Sequence, residues 1–547
     1  MPGCMRLRVA IFFRSSPRCQ LVKTTWLVIL AWLLMIAWQP ALSESLATSG
    51  KPARPEVKIK QGRVSGSLVD GGFVFRGLPY AAPPVGPNRW RAPAAAPSWK
   101  GVRDASRFGP SCPQEPMGWN NVDAERASED CLSLNIWTPR IDEHSSQKGL
   151  PVMVWLHGGG FAGGSGGNNF SDGTKLMHHG VVVVTINYRV GVLGFLAHAD
   201  LARETADGSS GNYGLMDQIA AFRWVQDNIA RFGGDPANVT AFGQSAGAIA
   251  ASWLITSDSA RGLFHRAILQ SGSAFGAGTI DVTRAQAEQV GSQFGTPSEL
   301  RKLPMKELLQ RWQTFEAQAP HERMTQPILD GKVFRTQPAK ALLAGAGKNV
   351  DIIAGSNSQE FPVDAPDEPL RHYVMESFGD QAEQALAYYF PDGAARPSDP
   401  LLGNAGTQLV DDLRFRCASI LSARAAEAGW VYQFEQPRSG ELVAAHSHEL
   451  VYVFGNWGPE WPLKQPMSPA ELALLDQMQS YWTNFARTGD PNGPNLPPWH
   501  RYDRADDPYA AISATRTASL THLRGEVCPL YVSHWSNPAS YDSLAKD

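Results

Sequence analysis

The sequence predicts an open α/β sheet, mostly parallel and covered by helices, and three observations predict it. Short apolar runs rich in β-branched residues recur without polar alternation, as strands buried on both faces require. Between them lie stretches with apolar residues at helical spacing. No internal repeat or long linker divides the body, so the alternation belongs to one large domain, expected over residues 55–540.

The first residues stand apart. Residues 1–23 carry Arg6, Arg8, Arg14, Arg18 and Lys23, and no acidic residue precedes Glu44. An apolar run, Trp26 to Trp38, leads to Pro40 and the small-residue stretch Ala41-Leu42-Ser43. A basic region, a short apolar region and a small-x-small site make a secretory signal peptide, expected over residues 1–43. The run is shorter than the ~20 residues a spanning helix needs. Secretion or a periplasmic location follows, the alternative being a tether through an uncleaved signal anchor. Residues 44–54 read as a flexible lead-in.

The body then alternates. Pro151 to His157 (PVMVWLH), Val181 to Tyr188 (VVVVTINY), Val239 to Gly243, Ala267 to Gln270 and Val350 to Gly355 are the predicted strands. Met216 to Phe232 (MDQIAAFRWVQDNIARF) is an amphipathic helix between two of them. Residues 281–345 and 365–430 read as helical insertions over the sheet's C-terminal edge, where open α/β sheets bind ligands.

Composition narrows the function. With 43% hydrophobic residues the chain can bury a large core, and a formal net charge of −3 gives no reason to expect a nucleic-acid partner. Six cysteines in 547 residues are too few for a disulfide scaffold.

Gly243-Gln244-Ser245-Ala246-Gly247 matches G-x-S-x-G between an apolar strand and the helix-favouring Ala248 to Ile255. A sharp strand-to-helix turn exposes the serine hydroxyl, and small neighbours avoid clashes, so Ser245 is the candidate nucleophile. His157-Gly158-Gly159-Gly160-Phe161 follows its own strand. Glycines there let backbone N–H groups face a substrate oxygen. No Gly-Lys-Ser or Gly-Lys-Thr follows this loop, and no G-x-G-x-x-G opens a helix, which argues against nucleotide binding.

With these motifs in place, the chain from about Glu56 to Trp535 resembles the type-B carboxylesterases of the α/β-hydrolase fold. Further matching stretches are Phe75-Arg76-Gly77-Leu78-Pro79-Tyr80-Ala81, Glu129-Asp130-Cys131-Leu132-Ser133-Leu134-Asn135 and Asn187-Tyr188-Arg189-Val190-Gly191. Asn212-Tyr213-Gly214-Leu215-Met216-Asp217-Gln218 and Trp482-Thr483-Asn484-Phe485-Ala486-Arg487 continue the series. The resemblance implies a serine hydrolase cleaving carboxylic esters through an acyl-enzyme, with helical insertions over an active-site gorge. It places the catalytic acid at Glu360, in Gly355-Ser356-Asn357-Ser358-Gln359-Glu360, where Phe361 follows in place of the family's usual glycine. It places the catalytic histidine at His446, with His448 as a packing neighbour. The oxyanion donors become the backbone N–H groups of Gly159, Gly160 and Ala246. Two disulfides are implied, Cys112 with Cys131 and Cys417 with Cys528. No cofactor is implied, and His-x-His lacks a clustered third metal ligand.

Specificity is less determined. In cholinesterases a tryptophan in the loop matching Cys112–Cys131 stacks on a quaternary ammonium group, a sound use of an indole face. Here the spacing from Trp119 to Cys131 is longer, and Gln244 replaces a glutamate, so Trp119 reads as a gorge-rim or packing aromatic. A small-molecule ester is the expected partner, with no nucleic acid and no membrane partner beyond the signal segment. The alternatives are an esterase, amidase or carbamate hydrolase dedicated to one natural product or toxin, and a non-catalytic cholinesterase-like binding protein.

Overall fold

The β-branched runs form the middle of a wide sheet. A computed structural model describes residues 54–141, 148–276, 279–280, 282–318, 326–458 and 461–536. The expected signal peptide and all but the last residue of the lead-in lie outside the described residues. In chain order the strands are β1 (Glu56–Ile59), β2 (Gly62–Ser65), β3 (Ser67–Val69), β4 (Gly72–Pro79), β5 (Val102–Asp104), β6 (Ser133–Thr138) and β7 (Leu150–Leu156). They continue as β8 (Val182–Ile186), β9 (Gly234–Gln244), β10 (Arg266–Gln270), β11 (Asp351–Asn357), β12 (Gly429–Phe434), β13 (Pro508–Ile512) and β14 (Thr517–Thr521).

Eleven strands make one sheet in the order β14-β13-β12-β11-β10-β9-β7-β8-β6-β4-β3, and β1, β2 and β5 form a separate small sheet. Pairing is parallel from β8 through β7, β9, β10, β11 and β12 to β13. Both flanks turn antiparallel, with β6, β4 and β3 on one side and β14 on the other.

Alternate residues of β7 serve opposite faces, as strand geometry requires. Val152, Val154 and Leu156 join one core, and Met153 and Trp155 join the other. The helices Tyr213–Asn228 and Ala246–Leu254 contribute to the first core. The helix Pro469–Thr488 covers the second with Leu474, Met478, Tyr481, Trp482 and Phe485. Its start is fixed by a capping box: the Glu471 N–H donates to Ser468 Oγ at 3.2 Å, and the Ser468 N–H donates to Glu471 Oε2 at 2.7 Å.

Two boundaries differ from expectation. The strand predicted at Val239–Gly243 runs from Gly234 to Gln244. The helix predicted from Met216 begins at Tyr213, after Asn212 in the left-handed region, and yields to a 3₁₀ turn at Ile229–Phe232 before Gly233 at φ 75°. Strand β6 escapes an apolar reading because it carries buried polar residues. Asn135 Nδ2 donates to Gly166 O at 2.9 Å and to Thr185 Oγ1 at 3.0 Å, so its amide is satisfied inside the sheet.

The two insertions are helical. The first holds Arg284–Phe294 and Met305–Gln318, and the second holds Asp367–Phe378, Ala382–Tyr389, Ala405–Asp411 and Cys417–Ala425. Disulfides join Cys112 to Cys131 and Cys417 to Cys528, and the second ties that last helix to Cys528–Ser536. No described helix is long and apolar enough to cross a membrane.

Candidate active site

Strand β9 ends at Gln244 and a helix starts at Ala246, leaving Ser245 alone on the turn. Its backbone has φ 55° and ψ −127°, a conformation that L residues rarely adopt. The turn is held because the Ser245 N–H donates to Gln270 O at 2.8 Å, at the end of β10. The next turn of chain is pressed against β7. A Cβ on Gly247 would lie 2.0 Å from Leu156 O, so only glycine fits there. Ser245 thereby reaches a cavity of about 1000 Å³.

Gly159 and Gly160 line the same cavity at φ 110° and 61°. Among the described residues, neither N–H has a hydrogen-bond acceptor. A Cβ on Gly159 would lie 2.3 Å from Gly163 O and 2.8 Å from the Trp119 ring. Ala246 follows as the first helical residue and also lines the cavity. Its N–H belongs to the positive end of the helix.

Glu360 follows β11 and is fully buried. Its Oε2 lies 2.6 Å from His446 Nδ1, and its Oε1 accepts the Asn357 N–H at 2.6 Å. The backbone reinforces the pair, since the His446 N–H donates to Glu360 O at 3.0 Å. With Nδ1–H held by a carboxylate, the imidazole presents Nε2 as an acceptor to the cavity. His448 has a different environment. Its Nδ1 accepts the Ala445 N–H at 3.2 Å, and burial, with Arg438 alongside, pushes its pKa down to about 4. It is a neutral packing residue.

The strand-turn-helix serine, the glycine loop and His446, backed by the buried Glu360, thus meet at one cavity. The Carboxylesterase family model matches residues 53–530. The chain belongs to the carboxylesterase family. It is 40% identical to the fumonisin B1 esterase of Sphingopyxis macrogoltabida, over 79% of this chain and 81% of that protein. It is 35% identical to the phenmedipham hydrolase of Pseudarthrobacter oxydans, over 85% and 96%. Among solved structures, carboxylesterase EST55 of Geobacillus stearothermophilus is 34% identical with a TM-score of 0.73, covering 87% of this chain and 100% of that one. A thermophilic PNB esterase is 31% identical with a TM-score of 0.75 and the same coverage. This carboxylesterase is accordingly a carboxylic ester hydrolase of the α/β-hydrolase fold.

Five residues around Glu360 and His446 take up positions that the sequence does not announce. The Phe361 ring, in place of the family's usual glycine, packs 4.3 Å from the His446 ring, and Phe415 packs at 5.7 Å. Gln244 Nε2 lies 3.0 Å from His446 Nε2. Asp411 Oδ2 accepts the Glu360 N–H at 2.8 Å. Burial, opposed by Arg416 and aided by the Glu360 charge, pushes its pKa up to about 8. Glu449 accepts from Gln270 Nε2 at 3.0 Å and Asn357 Nδ2 at 2.8 Å. Burial and then the Glu360 charge push its pKa up to about 7.

Trp119 sits at the rim, lining the cavity with 59% of its surface exposed.

Proposed function

We propose that ester hydrolysis here runs through Ser245, His446 and Glu360, with the N–H groups of Gly159, Gly160 and Ala246 as oxyanion donors. His446 Nε2 takes the proton from Ser245 Oγ as that oxygen attacks the ester carbonyl carbon. The resulting oxyanion is met by the three N–H groups, two of which have no acceptor of their own among the described residues. Collapse of the tetrahedral intermediate breaks the carbonyl carbon–alkoxy oxygen bond, and His446 returns the proton to the leaving alcohol. Water then attacks the acyl carbon with the same histidine as base; the Ser245 Oγ–acyl carbon bond breaks, His446 returns the proton to Ser245, and the carboxylic acid leaves. Glu360 holds the imidazole tautomer and stabilises the imidazolium.

The observation that carries this reading is the 2.6 Å Glu360–His446 hydrogen bond, on the cavity that Ser245 also lines. Labelling by a fluorophosphonate probe and turnover of p-nitrophenyl acetate test it. Both are expected in the wild type and absent in Ser245→Ala. Persistent labelling and hydrolysis in that variant would overturn the assignment.

Two relatives bear names of particular substrates, which favours a dedicated esterase over a general one. Fumonisin B1 and phenmedipham are the first two compounds to assay. The chain is further proposed to be exported, with residues 1–43 removed. The two disulfides support this, because such bonds persist in oxidising compartments. N-terminal sequencing of the mature protein tests it; a mature chain that begins at Met1 would contradict it.

A further inference from the structure

Two arginines line the cavity that holds Ser245, Arg414 and Arg438. Arg414 is exposed, and among the described residues it has no carboxylate or hydrogen-bond partner; its guanidinium lies only 5.9 Å from the ring of its neighbour Phe415. Because that ring packs on His446, Arg414 stands on the histidine side of the cavity. Arg438 lines the same cavity, its guanidinium 5.7 Å from the Trp461 ring and its backbone N–H 3.5 Å from His448 Nδ1. Its Nε is buried and has no hydrogen-bond partner among the described residues. Its ion pair with Glu441, at 3.1 Å, is shared: Lys464 lies 2.7 Å from the same carboxylate. Two cations thus share one anion there.

The rest of the lining does not balance them. Among the described lining residues the one carboxylate is Asp123, which is itself buried. The remaining wall is mainly glycine, aromatic and aliphatic, with neutral amides and hydroxyls. A guanidinium beside so apolar a wall attracts a carboxylate more strongly than it would in open water. Its planar fork also matches carboxylate geometry.

Resting on the hydrolase reading above, we infer that the natural substrate is an anionic ester that carries a free carboxylate near the scissile bond, bound by Arg414 with Arg438 in support. The carboxylate belongs to the acyl or the alcohol part, and the two are separable by experiment. Mono-p-nitrophenyl glutarate places it on the acyl side, and 4-acetoxybenzoate places it on the alcohol side. Each is compared with its own methyl ester, which has the same reacting carbonyl and no charge.

For at least one of the two pairs, wild-type kcat/KM is expected to favour the free acid by tenfold or more, the size of one charge-assisted hydrogen bond. In Arg414→Gln that ratio should fall by about tenfold, and Arg414→Lys should restore part of it. Raising salt to about 0.5 M should reduce the wild-type ratio as well, a readout that needs no variant. Methyl esters turned over as well as both free acids, or ratios untouched by Arg414→Gln, would overturn the inference. Failure of the hydrolase reading is distinct, since it would abolish turnover of the methyl esters and probe labelling too.

Discussion

Gln244 Nε2 stands 3.0 Å from His446 Nε2, the nitrogen left free by Glu360. With Nδ1–H on the carboxylate, this nitrogen accepts the amide's proton. A carboxylate at position 244 would instead accept from a protonated Nε2 and favour the imidazolium. Gln244→Glu is therefore expected to raise the apparent pKa of the acid limb of kcat/KM by about one unit. Activity near pH 6 should fall more than activity near pH 8. A pH profile of p-nitrophenyl ester hydrolysis checks this, and an unmoved acid limb would refute it.

Two buried carboxyls beside Glu360 give stability a pH dependence of definite sign. Glu449 and Asp411 titrate near 7 and 8 in the folded chain, well above the usual carboxyl range. Between those values and about 4, the folded state binds more protons than the unfolded state. Their contribution is therefore fully present at about pH 4, is lost as pH rises, and the loss is complete above about pH 8. Melting temperatures should fall from pH 5 to about 8 and level off above it, and Glu449→Gln should flatten the part between pH 5 and 7.

The Phe361 ring restrains the imidazole from one side. Phe361→Gly removes that contact while leaving the nucleophile and oxyanion donors in place. The expected result is a kcat lower by several-fold to about tenfold with fluorophosphonate labelling retained, because misplacement of a catalytic group slows a well-ordered reaction. Single-turnover acylation rates measure it.

The two disulfides should differ in value. Cys112–Cys131 closes a separation of 19 residues and Cys417–Cys528 one of 111. Loop-closure entropy assigns about 3 kcal/mol to a 15-residue loop and about 4.7 kcal/mol to a 100-residue loop. Paired serine substitution of Cys417 and Cys528 is expected to lower the denaturation midpoint more than substitution of Cys112 and Cys131. Denaturant melts of the two variants decide it.

Arg189 and Asp217 form a fully buried pair with two 2.7 Å contacts, fastening the chain after β8 to the helix Tyr213–Asn228. Asp217→Asn leaves the guanidinium partly uncompensated, and removing one partner of such a pair costs about 3–5 kcal/mol. A much lower midpoint is expected in the same melts.

What could be read from the sequence was what is local along the chain. The turn at Ser245 and the loop at Gly159–Gly160 are built from contiguous residues whose small size is itself the signal. The central strands were legible because burial on both faces demands unbroken apolar runs, whereas β6 hid behind Asn135 and its internal hydrogen bonds. Glu360 and His446 lie 86 residues apart and needed a family resemblance to be paired. Asp411, Glu449 and Arg414 have ordinary sequence surroundings. Their significance comes from burial beside another charge, or from an exposed guanidinium facing an apolar wall, and neither is written in spacing.

The chain from Ala405 to Ala425 carries several of these burdens together. Asp411 takes the Glu360 N–H, Arg416 donates to Ser358 O at 2.8 Å, Arg414 faces the cavity, and Cys417 is bolted to Cys528. Substrate choice and support of the acid are therefore inherited as one block. Grafting this segment between homologous esterases is expected to transplant both properties, provided the graft travels with its anchor at Cys528 and with Arg524, which pairs with Asp412 at 2.7 Å. A chimera that exchanges the cavity wall alone separates parts that fold as one.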